Sequence, residues 1–489
     1  MNSHCFLVIV IINIKTMRRF KTRIVFVLFI CSIITVSMLF YFMLIFDDKK
    51  LANNIINTSR SVIVVGFSEL RNENLTLCET YEKKVKLKLV QMLENEHNDD
   101  GDDDVNENYL ENFVESLKSD SQRMDSSNST ALNLESKELK KIWSIAKKWV
   151  RARQIIPEKA PELSSIIEAL QHSKIIKSDV SRKGTQLKLL LTLEGGQQAL
   201  FKPRRYSRDY ITDDIYAGAD RHNGEIVAFH LSRILNQRYA PIVASRIINV
   251  AHEIKPVASP SLLATFVPQK TKLNKTLECF YGECYYCNEY ELLCPDETTG
   301  TLEGAIILML PSQYQLQKLR HPWQRTYKKN LKAQWEMDSH YCLSVLKSNS
   351  LRPRVLDFVD TAIFDYLIGN ADRHHFEVFK DVSNSALLLI DNGKSFGDPS
   401  HDETTIIFPL LQCCVIRNQT YQHLRRFAFT INSSRFTLSA IIKQLLSNDQ
   451  LWPLLTEHHL QALDRRLRMI MATIELCFET YQRNYVLKN

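Results

Sequence analysis

The sequence predicts an α+β fold of two lobes with a cleft between them. Three observations predict it: short strand-like runs dominate from about 185 to 310, helical periodicity dominates beyond 355, and polar clusters recur where apolar elements end. The chain has 489 residues, 45% hydrophobic and 24% charged, enough to build a sizeable core. With 13 glycines and 14 prolines it is not collagen-like, low-complexity or wholly disordered, and its length excludes a disulfide-stapled miniprotein. A formal charge of +7 is small for this size, and no basic patch interleaved with aromatics points to nucleic acid.

The first element is Ile24 to Phe46, IVFVLFICSIITVSMLFYFMLIF, which carries no charge. About 23 residues at 1.5 Å each reach across the roughly 30 Å hydrocarbon layer. The run exceeds the about 7–15 residues of a signal-peptide core and ends in Leu44-Ile45-Phe46 rather than small residues, so it reads as an uncleaved anchor. Lys15, Arg18, Arg19, Lys21 and Arg23 precede it with no acidic residue. The positive-inside rule then puts the tail 1–23 in the cytosol and everything after Phe46 in the lumen, a single-pass type II topology. Six N-x-S/T sequons follow, at Asn57, Asn74, Asn128, Asn274, Asn418 and Asn432. Nine cysteines also follow, for which an oxidising lumen makes disulfides the default.

Residues 47–135 are polar and weakly patterned, and the acidic centre ENEHNDDGDDDVNENY at 94–109 cannot bury a core. This stretch is expected to be a largely disordered stem; a calcium site is the less common alternative for its charge run. An N-lobe is assigned to 136–303. In ELKKIWSIAKKWVRARQII, Ile142, Ile145, Ala146, Trp149 and Val150 fall at helical spacing. Pro161-Glu162-Leu163 opens a second helix through His172. Leu187–Leu193 and Gln198–Phe201 flank Glu194-Gly195-Gly196, a hairpin signal. Asn223 to Leu235 reads as a helix, and Ile242–Val250 as a strand. A C-lobe is assigned to 304–489; it opens on the strand Ala305–Leu310 and is mainly helical after Leu356. No internal repeat is present.

Lys202 closes the strand Ala199-Leu200-Phe201, and Glu225 lies inside the helix that follows Asp220-Arg221-His222-Asn223. Two acidic sites come later: Gly369-Asn370-Ala371-Asp372-Arg373-His374-His375, then Leu387-Leu388-Leu389-Ile390-Asp391-Asn392-Gly393. Phosphoryl transfer from a nucleotide needs this set. A strand lysine neutralises phosphate and a helical glutamate orients it. One aspartate accepts the acceptor hydroxyl's proton, and another, at the end of an apolar strand, holds a divalent metal. Each residue alone has an ordinary explanation. A strand-end lysine or helical glutamate usually faces solvent, and a carboxylate between four aliphatics and Asn-Gly is a turn residue or a metal ligand. His374 and His375 invite a metal reading, but adjacent histidines point apart and no third ligand stands at zinc spacing. The order of the parts supports the set more than any single residue does.

Longer segments make the sequence similar to a known family, the secretory-pathway atypical kinases, which include Golgi casein kinases and glycosaminoglycan xylosylkinases. They are KGTQLK at 183–188, LFKP at 200–203, DRHNGEIVAFHL at 220–231, CFYGECYYC at 279–287, HPWQRTY at 321–327, DYLIGNADRHHFEVF at 365–379, LLIDNGKSFGDPSHDE at 388–403 and QCCVIR at 412–417. No G-x-G-x-x-G loop, H-R-D or D-F-G is present. RYSRDY at 205–210, YAGADRHN at 216–223, EIKPVA at 253–258 and Asp220, where casein kinases carry Glu, resemble the xylosylkinase branch. Two departures stand out. Gly224 replaces the usual Ala, which loosens its helix by about 0.5–1 kcal/mol. Asp391-Asn392-Gly393-Lys394 mixes features of both branches.

The resemblance implies an atypical two-lobed protein-kinase-like fold with a sheet N-lobe and a mainly helical C-lobe. It implies that Lys202 contacts the nucleotide phosphates and pairs with Glu225, while Gln186 and Lys188 line the phosphate side in place of a glycine loop. Ile307, Leu308, Met309 and Leu310 would form the hinge against adenine. Asp372 would be the catalytic base, Glu377 a nucleotide contact, and Asp220 with Asp391 the ligands of Mn²⁺ or Mg²⁺ bound with ATP. The implied enzyme sits in the Golgi membrane. It moves the ATP γ-phosphate to the 2-hydroxyl of the xylose that begins the glycosaminoglycan linkage on proteoglycan core proteins, promoting glycosaminoglycan assembly. The rivals are a secretory serine protein kinase and a pseudokinase that activates one; the presence of Asp220, Asp372 and Asp391 weighs against the pseudokinase.

Cys279-x4-Cys284-x2-Cys287-x6-Cys294 could be a zinc knot in a reducing compartment, a reading the oxidising lumen overrides. The family pattern implies bridges Cys279–Cys294, Cys284–Cys287, Cys342–Cys413 and Cys414–Cys477, the last two stapling the helical lobe. Cys78 is left over in the stem, a candidate for pairing with a second copy or with a kinase partner.

Overall fold

The computed structural model describes residues 76–96, 103–121 and 136–489, apart from 183, 213–218, 272–274, 329 and 429–435. The tail 1–23, the expected anchor 24–46 and five of the sequons (Asn57, Asn74, Asn128, Asn274 and Asn432) lie outside the described residues. Among the described residues no helix is long and apolar enough to cross a membrane.

The stretch expected to be a largely disordered stem contains two helices, α1 (Leu77–Glu96) and α2 (Asp103–Ser121). Both bury a narrow apolar stripe hidden in a charged sequence. On α1 it comprises Cys78, Tyr81, Val85, Leu89 and Met92; on α2 it comprises Leu110, Val114 and Leu117. The Lys88 ammonium meets Glu479 at 2.5 Å, and Arg426 stacks 4.1 Å over Tyr109. Disorder was therefore the wrong expectation for these segments, because tertiary packing supplies what their composition lacks. Residues 97–102, from the acidic centre, lie outside the described residues.

Helix α3 (Ser136–Trp149) buries Leu139, Trp143 and Ala146, a face rotated by part of a turn from the expected one, and stops at Trp149. Trp143 sets that face. Its indole donates to the Glu194 carbonyl at 2.9 Å, and it packs so close to Gly195 that a Cβ there would lie 2.9 Å from the ring. Helix α4 spans Leu163–His172. Strands β1 (Ile175–Val180), β2 (Leu189–Leu193) and β3 (Gln197–Pro203) follow, then helix α5 (His222–Ile234), whose every residue is buried. Next come β4 (Val243–Asn249), the small hairpin β5 (Phe266–Lys270) and β6 (Thr276–Phe280), and β7 (Thr301–Leu308). One antiparallel five-stranded sheet runs in the order β1-β2-β3-β7-β4. Because β7 lies inside this sheet, the first lobe extends to Leu308 rather than ending at 303.

The second lobe opens with β8 (Leu316–Arg320), followed by α6 (Tyr341–Lys347), α7 (Val355–Ile368) and β9 (His375–Phe379), which pairs with β8. Helices α8 (Phe408–Cys413), α9 (Asn418–Ala428), α10 (Leu438–Leu446) and α11 (Glu457–Thr480) complete it. Residues 387–390 join no sheet, so the strand expected before Asp391 is absent. Their anchors are single bonds, Leu388 N to Glu377 O at 2.9 Å and Leu389 N to Tyr239 O at 3.2 Å. All four implied disulfides are present, Cys279–Cys294, Cys284–Cys287, Cys342–Cys413 and Cys414–Cys477. The adjacent Cys413 and Cys414 thus tie the end of α8 both to α6 and to α11. Cys78 is half-buried, and burial pushes its thiol up to about 11, which keeps it protonated and slow to exchange.

Candidate active site

Strand β3 carries Lys202 into the interior, where its side chain is 5% exposed. An ammonium buried this deeply is costly unless paired. It is paired three times: Glu225 Oε1 at 2.6 Å, Asp391 Oδ1 at 2.8 Å and Asp220 Oδ1 at 3.5 Å. Burial alone would push the Lys202 ammonium down, but Asp220, Asp391 and Glu225 together hold it well above its ordinary value. Lys202, in turn, holds the Asp391 carboxyl below the usual carboxylate range.

Three carboxylates against one ammonium leave a net charge of −2, and the oxygens of Asp220, Glu225 and Asp391 lie within 4.8 Å of one another. Hard oxygen donors with two surplus negative charges fit a divalent ion such as Mn²⁺ or Mg²⁺. Local backbone geometry builds this site. Asp391 has φ +60°, a left-handed conformation that costs a non-glycine residue and aims the carboxylate into the cleft. A Cβ on Gly393 would lie 1.4 Å from Asp220 Oδ1, so only glycine lets the two loops meet. The backbone bond from Arg221 N to Gly393 O, 2.6 Å, closes the contact. Gly224 has a similar reason, since a Cβ there would sit 2.9 Å from the Asn392 carbonyl.

Asp372 follows the left-handed Gly369 that ends α7. Its Oδ1 accepts from the Tyr327 hydroxyl at 2.5 Å, its Oδ2 faces Lys394 Nζ at 3.1 Å, and His374 Nδ1 lies 3.5 Å away. Burial would raise the Asp372 carboxyl, but His374, Tyr327 and Lys394 bring it below its ordinary value. Asp372 is ionised at neutral pH and able to accept a proton. Asp372, Asp220, Asp391, Gln186, Lys188 and Glu377 line one open cleft. Ile307 to Leu310 do not line it. Ile307 packs inside the sheet, and Leu308, Met309 and Leu310 border a separate hollow with Ala146, Val150 and Ile242. The Met309 amide donates to Gln198 O at 3.1 Å and its carbonyl accepts from Gln197 Nε2 at 3.3 Å.

Three neighbours of Asp372 carried no role in the sequence. Arg373 is gripped by Asp365 at 2.5 and 2.8 Å and donates at 2.8 Å to Ile390 O and Asn392 Oδ1. Tyr327 and Lys394 touch Asp372 itself. Motifs containing all three were visible, but their partners lie 8 to 45 residues away in sequence. A second, small hollow shares Arg373 and His374 with the cleft and is walled by His321, Trp323, Tyr327 and Thr405.

A buried strand lysine and helical glutamate, paired with two acidic loops that share one cleft with Asp372, define a phosphotransferase of the two-lobed kinase class. The chain belongs to the Fam20 family: residues 141–486 match the family model described as Golgi casein kinase, C-terminal, Fam20. It is 48% identical over 349 residues, 71% of this chain and 82% of the relative, to the glycosaminoglycan xylosylkinase of Homo sapiens. Against the extracellular serine/threonine protein kinase FAM20C of Homo sapiens it is 39% identical over 332 residues, 65% of this chain and 55% of the relative. Among solved structures, that of hydra Fam20 with sugar superposes with a TM-score of 0.66 at 43% identity, covering 71% of this chain and 98% of that one. The Golgi casein kinase with Mn/ADP bound gives 0.66 at 30% identity, covering 82% and 92%.

Proposed function

We propose that this chain is an ATP-dependent kinase of the Golgi membrane that phosphorylates the 2-hydroxyl of xylose in the glycosaminoglycan–protein linkage of proteoglycans. The observation that carries the kinase reading is the buried Lys202 held by Glu225, Asp391 and Asp220 on the cleft that also holds Asp372. The sugar acceptor is supported by 48% identity to a named xylosylkinase against 39% to a named protein kinase. The type II anchor at 24–46 and the lumenal placement of the cleft belong to the same proposal and rest on the apolar run and its basic flank.

In this reading Gln186, Lys188 and Lys202 receive the triphosphate, and Leu388 and Ile390 give the cleft its apolar wall. Asp220 and Asp391 would hold Mn²⁺ or Mg²⁺, which when bound offsets phosphate charge. Glu225 keeps Lys202 in place, and Asp372 accepts the acceptor hydroxyl's proton. The chemistry is mostly positioning and charge stabilisation.

The full chain in detergent, given labelled ATP, Mn²⁺ and either a xylose-containing linkage oligosaccharide or casein, tests this. A phosphorylated sugar with unlabelled casein is expected. Casein labelling without a sugar product would make the chain a protein kinase, and binding of ATP with neither product would make it a pseudokinase.

A further inference from the structure

Both oxygens of the Asp372 carboxylate are already engaged: Oδ1 accepts from Tyr327 at 2.5 Å, and Oδ2 faces the Lys394 ammonium at 3.1 Å. We infer that Lys394 is a working part of the transfer site, the cation that fixes the base and meets the phosphoryl group between nucleotide and acceptor. This rests on the kinase reading above and deepens it.

Placement argues for it first. Lys394 lines the same cleft as Gln186, Lys188, Asp220 and Asp391 while touching the base, so it spans the nucleotide and acceptor sides. Its backbone is fixed on both flanks. Gly393 O accepts from Arg221 N at 2.6 Å, Ser395 Oγ donates to Asn392 O at 2.6 Å, and Phe396 N donates to Ile368 O at 2.8 Å. Ser395 and Phe396 are buried, so only the four-carbon stem of Lys394 is left to move.

Charge argues for it next. Lys202 is shared among three carboxylates, and Arg373 is committed to Asp365, Ile390 and Asn392. A phosphoryl group moving toward the acceptor carries its charge on three equatorial oxygens and approaches the anionic Asp372. Without a cation between them, the base would repel the group it serves. Lys394 stands at that point.

The step balances as follows. The acceptor oxygen bonds to the γ-phosphorus while the bond from that phosphorus to the β–γ bridging oxygen breaks, its electron pair leaving on ADP. The hydroxyl proton passes to Asp372. Lys394 keeps its own proton and transfers hydrogen bonding from Asp372 Oδ2 to a non-bridging oxygen of the moving group.

The test compares Lys394→Met and Lys394→Arg with wild type as full chains in detergent with Mn²⁺, ATP and the linkage oligosaccharide. It reads kcat, the KM for ATP, ATP hydrolysis without acceptor, and melting with and without Mn²⁺-ATP. Lys394→Met is expected to lower kcat about 100-fold, as loss of one preorganised donor does, with the ATP KM within about threefold. The acid limb of its pH–kcat profile should move upward, because Asp372 loses a cation that keeps it ionised. Lys394→Arg should retain at least about a tenth of wild-type kcat. An unchanged kcat, or a loss confined to the ATP KM, overturns the inference. If wild type phosphorylates neither sugar nor casein, the functional reading fails instead, and the hydrolysis comparison still decides Lys394. Should Lys394→Met fail to melt cooperatively, Lys394→Gln takes its place: a kcat loss of about 100-fold with the ATP KM within about threefold supports the inference, and an unchanged kcat overturns it.

Discussion

Arg373 Nη2 meets Asn392 Oδ1 at 2.8 Å, and that contact joins the loop of Asp372 to the loop of Asp391. Asn392 passes the connection on, donating its backbone amide to Glu225 Oε1 at 2.9 Å. A continuous chain thus runs from Asp365 through Arg373 and Asn392 to Glu225 and Lys202, tying α7 in the second lobe to α5 and β3 in the first.

Arg373→Met would leave Asp365 buried with its charge unpaired, apart from Asn370 at 3.3 Å. Breaking one side of a buried pair costs about 3–5 kcal/mol. We expect a loss of that order in urea unfolding and at least a tenfold loss of activity. Adding Asp365→Asn should restore part of the stability without restoring activity, since Asn392 still lacks its partner. Equal recovery of both would mean that Arg373 acts on stability alone.

Gly393→Ala tests the metal site without removing a ligand. The new Cβ would lie 1.4 Å from Asp220 Oδ1, so the carboxylate or the loop must shift. Wild type should melt higher with Mn²⁺, which relieves the net −2 of the Lys202 cluster, and chelation should abolish the rise. The variant should bind Mn²⁺ at least about tenfold more weakly. An unaltered thermal response to Mn²⁺ would place the ion elsewhere.

Much of this site was legible in the sequence because polar residues at the ends of apolar runs are conspicuous: Lys202 after Ala199-Leu200-Phe201, and Asp391 after Leu387 to Ile390. The hairpin about Gly195 was legible from its Gly-Gly turn and α5 from its helical spacing, but the burial of every α5 residue was not. What escaped has physical causes. The stripes of α1 and α2 are sparse and gain meaning only from α11 and α9, which lie hundreds of residues downstream. Gly224 read as a loosened helix; its purpose, room for the Asn392 carbonyl, is a tertiary contact. Arg373, Tyr327 and Lys394 owe their roles to partners that no local pattern identifies.

Acid should destabilise the fold. Burial holds His222 down to about 4, His321 to about 3 and His459 to about 4, so all three are neutral when folded. The unfolded chain takes up protons near pH 6.5, so their contribution is complete above about 6.5 and is lost toward 4, at about 1.4 kcal/mol per pH unit each. Asp360 opposes them. Burial raises its carboxyl to about 6, and the folded state therefore favours its proton between about 6 and 3.8. Three histidines against one aspartate leave a net loss of up to about 3 kcal/mol per unit between pH 6 and 4.5. Urea midpoints that stay level across that interval would contradict these burial effects.

If Asp372 accepts the acceptor's proton as proposed, Tyr327 stands where the acceptor must arrive. Its hydroxyl donates at 2.5 Å to Asp372 Oδ1, the kind of contact an acceptor hydroxyl needs, and its backbone is held at φ +56°. A carboxylate oxygen has two lone pairs, so sharing is allowed in principle, but the phenol competes for the best direction. Hydrogen bonding to the ionised form also lowers the basicity of Asp372. Tyr327→Phe removes both effects and keeps the ring against His374, 5.8 Å between centroids. The acceptor KM should fall about threefold to tenfold, kcat should stay within about threefold, and the acid limb of the pH profile should move up by less than about one unit. A tenfold rise in acceptor KM would show instead that the phenol binds the acceptor, and Tyr327 would then be a substrate contact rather than a gate on the base.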